Sequence, residues 1–115
     1  MPPAQRPVFL NFARIRFPVG SVASFGHRVS GVALVLMLPL AVLALERSLE
    51  SGAAFPWPGR VAAALAAWAC AHHLFAGIRH LLHDVGVGAS LAASRKSAYA
   101  ALVAAAAVGL AALVA

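Results

Sequence analysis

Residues 29–45 read VSGVALVLMLPLAVLAL, seventeen positions without a charged side chain. A helix rises 1.5 Å per residue, so a run of this length approaches the roughly 17–25 residues that cross a bilayer. Two further runs match it. Val61–Ile78 (VAAALAAWACAHHLFAGI) and Ser97–Ala115 (SAYAALVAAAAVGLAALVA) also lack charge. With their flanks, the three predict transmembrane helices over about 24–46, 60–82 and 96–115. No stretch alternates as a strand does. The expected fold is therefore an all-α membrane protein, a single membrane-anchor domain over residues 1–115.

Composition agrees. Of 115 residues, 63% are hydrophobic and 10% charged, where a soluble domain carries about 25% charged residues. So short a soluble chain has too little interior to hide that apolar surface. The net charge of +6 does not point to nucleic acid, because the basic residues sit at the ends of apolar runs, where they anchor and orient helices. Cys70, the only cysteine, permits neither an internal disulfide nor a four-thiolate metal site, and is expected to be a small packed residue.

Between the runs lies turn chemistry. Residues 46–60 hold Glu46, Arg47, Glu50, Gly52, Pro56, Pro58 and Gly59, and residues 83–96 hold Asp84, Gly86, Gly88, Arg95 and Lys96. Pro39 falls inside the first run, where a kink is tolerable. Arg6, Arg14, Arg16 and Arg28 precede or open the first run, and Arg79, Arg95 and Lys96 flank the second loop. In the first loop Arg47 and Arg60 are offset by Glu46 and Glu50. This bias puts the N-terminus and second loop in the cytoplasm and the C-terminus on the opposite side. Residues 1–23 have no apolar core of signal-peptide length. Their Arg-bearing, acid-free start is short and proline-broken, which favours a bacterial inner membrane over an organellar origin.

Ionisable groups inside membrane helices are costly and mark function. Here they gather at the cytoplasmic ends of the first two helices: Ser24, His27, Arg28 and Ser30, then His72, His73, Arg79, His80, His83 and Asp84. At about 100° per residue, His73, His80 and Asp84 fall within about 40° of one another, and His72, Arg79 and His83 form a neighbouring stripe. Gly77 beside the His73 stripe leaves room for something flat. His73, the deepest of its stripe, suits a neutral imidazole on a haem iron, with His80 nearer the cytoplasm. The blander alternative is a histidine that only bonds a neighbouring helix. Ser24 and Arg28, four apart, share a face and can donate to a carbonyl oxygen such as a quinone presents. Alternatively Ser24 caps the helix and Arg28 snorkels. The third helix, mostly alanine, reads as a packing helix with only Ser97 and Tyr99 polar. Zinc or copper lacks ligand carboxylates and thiols.

Three motifs carry a resemblance: Arg6-Pro7 followed by Arg16-Phe17-Pro18; Ser24-x-x-His27-Arg28-x-Ser30-Gly31; and His73-x-x-x-Gly77-Ile78-Arg79-His80-Leu81-x-x-Asp84. In order and spacing the chain resembles the cytochrome b membrane anchor of succinate dehydrogenase, respiratory complex II. That resemblance implies a three-helix subunit paired with a second small membrane anchor. Together they would hold an iron–sulfur subunit and a flavoprotein subunit on the cytoplasmic face. It implies a haem b shared between the anchors and ubiquinone as electron acceptor. His73 would be the axial ligand, Ser24 and Arg28 would line the quinone site, and His27, Arg28 and His80 would lie near the haem propionates. Asp84 would belong to the polar rim. His72 stands beside His73, so ligation could shift by one residue, but the Gly77-Ile78-Arg79-His80 motif fixes the count and the face shared with His80 favours His73. A fumarate reductase-type anchor and a His-rich scaffold or transporter without haem are the competing readings.

Overall fold

In the computed structural model, residues 16–115 are described, and they form three α-helices: α1 (Val19–Ser51), α2 (Trp57–Asp84) and α3 (Leu91–Val114). Each is long and apolar enough to cross a membrane. Among the described residues there is no strand. Arg6, Pro7 and Arg14 lie outside the described residues.

Every helix outruns the charge-free segment inside it. At 1.5 Å per residue, α1 (33 residues) is about 50 Å long, against a hydrocarbon core of about 30 Å. The reason is physical: charge ends a span, whereas backbone chemistry ends a helix. Glu46, Arg47 and Glu50 are all helical, and α1 stops where Gly52 takes φ +63° and returns its N–H to Ser48 O at 3.0 Å. α2 opens after Pro56 with Pro58 in its first turn, where a missing N–H costs nothing. At its far end Gly86 and Gly88 take positive φ. Ser90 then caps α3, its Oγ accepting from Ala93 N at 3.3 Å. The expected loops thus shrink to 52–56 and 85–90. Ser24 does not cap α1, which begins at Val19, and α1 continues through Pro39 as one helix.

α2 is the central element, packed on both α1 and α3, while α1 and α3 meet least. The interior is built of small residues: Ala23, Ala64, Ala69, Ala71, Ala76, Ala98, Ala101 and Ala105 are buried. In lipid, association depends on close packing of backbones, which small side chains permit. Two glycines carry the closest approaches. A Cβ on Gly26 would stand 2.6 Å from His72 Nε2, and one on Gly109 would stand 2.8 Å from Trp68 Cβ. Outside, α1 presents Val32, Val35, Leu36, Leu38, Leu40 and Val42. Cys70 is exposed rather than packed as expected, because the face of α2 that meets its neighbours runs through Ala64, Ala69, His72, Ala76 and Arg79.

Candidate functional site at one end of α1 and α2

His73 lies in the seam between α1 and α2. Its Nδ1 stands 3.1 Å from the backbone oxygen of His27 and 3.3 Å from Ser30 Oγ. A carbonyl oxygen only accepts, so the pairing assigns the proton to Nδ1 and leaves Nε2 with a bare lone pair. Ser30 is 1% exposed and donates its own O–H to the same His27 oxygen at 2.9 Å. Gly31 makes room for the ring: a Cβ there would stand 3.0 Å from His73 Cε1. Among the described residues, no hydrogen bond engages His73 Nε2.

The neighbours of His73 are other histidines. The His27 ring lies parallel to it, centroids 4.2 Å apart at 15°. His80 is tilted against His27 at 5.2 Å. Its Nε2 shares a hydrogen bond of 3.2 Å with Ser24 Oγ. Gly77 does leave room for a flat group, as its place beside His73 suggested. Within this chain the group is the His27 imidazole, whose Nε2 would lie 3.3 Å from a Cβ at that position. Ser24, His27, His73 and His80, drawn from two helices and separated by up to 56 residues, thus form one cluster.

The neighbouring stripe goes elsewhere. His72 is 1% exposed, stacked on Trp68 at 5.7 Å and wedged against Gly26. Neither of its ring nitrogens has a partner. It is a packed interior residue with no open approach to either nitrogen. Arg79, 7% exposed, reaches to α3. Its Nε donates to Ser97 Oγ at 3.1 Å, and one terminal nitrogen donates to Ser94 Oγ at 2.8 Å and Ser94 O at 3.3 Å.

Beside the histidine cluster opens a cleft of about 560 Å³, whose lining includes Ser24, Arg28, Arg79, His80, His83 and Arg95. Three arginines and two histidines contribute to its lining, and among the described residues no carboxylate does. Such a site favours a carbonyl oxygen or any group that gains negative charge during reaction. Arg28 is exposed and free to turn into it. Asp84, also exposed, is not in the lining. Among the described residues no group of three His, Cys, Asp or Glu side chains is placed to hold a metal ion. A haem asks for only one axial histidine from this chain if a second chain supplies the other.

Reading the sequence missed the contribution of α3. Ser94 and Arg95 line the cleft, and Ser94 with Ser97 holds Arg79. The signal was available: a lone arginine between histidines inside a helix demands a partner, and a short second loop brings the start of α3 alongside it.

The model of the succinate dehydrogenase/fumarate reductase transmembrane subunit family matches residues 2–112. A relative in Coxiella burnetii, a succinate dehydrogenase cytochrome b556 subunit, is 39% identical over 84% of this chain and 84% of its own length. A relative of the same description in Paracoccus denitrificans is 31% identical over 83% of this chain and 79% of its own.

Proposed function

The chain belongs to the succinate dehydrogenase/fumarate reductase transmembrane subunit family, and from that premise we propose that it is the cytochrome b anchor of a succinate:quinone oxidoreductase. It is a multi-pass protein of a bacterial inner membrane. In this reading it holds a haem b jointly with a second small anchor subunit and supplies part of the site where ubiquinone is reduced. An iron–sulfur subunit and a flavoprotein subunit deliver electrons to it from succinate.

The observation that carries the haem assignment is the state of His73. A neutral imidazole ligates iron through one nitrogen while the other donates to a fixed acceptor. His73 has its Nδ1 committed to the His27 carbonyl and its Nε2 free, so the residues fit the group. When bound, the haem would supply a one-electron redox centre. His27, Arg28 and His80, clustered on the same side, offer nitrogens suited to its propionates.

Quinone reduction adds negative charge to a carbonyl oxygen before protons arrive. Ser24 and Arg28 can donate to that oxygen, and the absence of a carboxylate from the cleft lining keeps the field positive. The His80 imidazole, hydrogen-bonded to Ser24, provides a group that can pass a proton to the site.

The test is a dithionite-reduced minus air-oxidised absorbance spectrum of the purified, co-expressed complex, for wild type and His73→Ala. A b-type signal in the wild type that is lost or altered in the variant supports the reading. An unchanged signal in His73→Ala, or no haem in a fully assembled wild-type complex, removes it.

A further inference from the structure

We propose that Ser30 is a positioning residue for the haem ligand: its hydroxyl fixes the plane of the His73 imidazole. This inference rests on His73 being the axial ligand and goes one residue beyond it. Ser30 is 1% exposed, a polar side chain in the apolar interior of α1. Burying a hydroxyl is costly unless it is hydrogen-bonded. Its bonds all converge on one place. Its O–H donates to the His27 carbonyl at 2.9 Å, and its oxygen stands 3.3 Å from His73 Nδ1. The same Nδ1 donates to that carbonyl at 3.1 Å. Three groups therefore form a closed triangle: one N–H shared between two acceptors, one of which donates to the other.

A single acceptor holds an imidazole by a bond about which the ring can still swing. Two acceptors in different directions remove that freedom. Gly31 closes the remaining side, because its bare Cα lets the ring edge approach to where a Cβ would be 3.0 Å away. His27 covers one ring face at 4.2 Å. The His27 carbonyl alone selects the protonated nitrogen, whereas Ser30 adds the angular constraint. The plane of an axial imidazole sets its π overlap with the iron d orbitals, and the strength of the bond at Nδ1 sets how much electron density the ligand gives. Ser30 thus acts on the iron through His73 without touching it.

The experiment uses the assembled complex and reads the ferric haem by low-temperature electron paramagnetic resonance, together with a redox titration of the haem absorbance. Ser30→Ala should keep the haem but change or broaden the g values and raise the midpoint potential, because the ligand loses an acceptor. Ser30→Thr, which keeps the hydroxyl, should return both toward wild type. Wild-type g values and potential in Ser30→Ala would overturn the proposal, as would equal perturbation by Ser30→Ala and Ser30→Thr, since packing alone would then explain the effect. His73→Ala in the same series separates the two levels. If it leaves the haem signal unchanged, the ligand assignment itself is wrong. If it abolishes the signal while Ser30→Ala does nothing, only the role of Ser30 is wrong.

Discussion

His72 and His73 are adjacent in sequence and opposite in circumstance. One has both ring nitrogens sealed against Gly26 and Trp68, and the other has one nitrogen committed and one open. Two predictions belong at this scale. A buried polar atom without a partner carries an unrecovered desolvation penalty, so replacing it by an apolar group of similar shape costs little. His72→Phe should therefore leave the haem spectrum intact and the thermal midpoint of the complex unchanged or slightly higher. His72→Ala, by leaving a hole, should destabilise by about 2–4 kcal/mol. Loss of haem in His72→Phe would contradict the assignment of these two residues. Arg28 gives the second prediction. Arg28→Leu removes an exposed guanidinium of the cleft, and a donor that acts on developing charge contributes about 10²–10³ in rate. Quinone reduction should fall by about that factor, while succinate oxidation with an artificial acceptor continues. Retained quinone turnover would argue against the role.

Among the helices, α2 is held on its two sides by different means. Toward α1 it uses the histidine cluster and the glycine contact at His72. Toward α3 it uses small residues and the Arg79 clamp to Ser94 and Ser97. Gly109→Ala would place a carbon 2.8 Å from Trp68 Cβ, an atom tied to the backbone, so the helices must separate. Overpacking of this kind costs about 1–3 kcal/mol, to be read as a lower thermal midpoint of the complex. Arg79→Leu removes three hydrogen bonds from one buried guanidinium. Hydrogen bonds to charged groups contribute about 1.5–3 kcal/mol each, but the lost burial cost of the charge offsets part of that. The readout is local: amide exchange should quicken at the start of α3, around Ser90–Ser97, and remain unchanged in the middle of α2. Uniform protection would show that α3 holds its place without the clamp.

The described residues form a three-helix bundle whose candidate functional cluster lies at one end, on the seam of α1 and α2. From the basic residues at that end, Arg28, Arg79, Arg95 and Lys96, we propose by the loop-charge rule that it faces the cytoplasm. In that orientation the cleft would open toward the face where the proposed electron-donating subunits and protons are available. A reporter that is active only outside the cytoplasm should work when fused after Ala115 and fail when fused before Met1. The reverse pattern would invert the topology. Much apolar surface of α1 is exposed, and in the proposed complex it would be shared between the second anchor and lipid.

Helix number, helix class and the neighbourhood of the site were readable in residues 16–115 from linear pattern. Charge-free runs of bilayer length have one stable solution in lipid, because a helix satisfies its backbone internally. The seven-residue interval from His73 to His80 puts two imidazoles on one stripe wherever the helix sits, and likewise the four-residue interval from Ser24 to Arg28. Rotation about the helix axis was not readable in the same way. These helices are apolar on nearly every side, so no hydrophobic stripe declares which face turns inward. Packing settled it: Gly26 admits His72, Gly31 admits the edge of His73, and Ser94 and Ser97 draw Arg79 toward α3. The role of Ser30 belongs to the same class. A serine in an apolar run is unremarkable along the chain, and it acquires meaning only when a second helix brings an imidazole nitrogen to 3.3 Å.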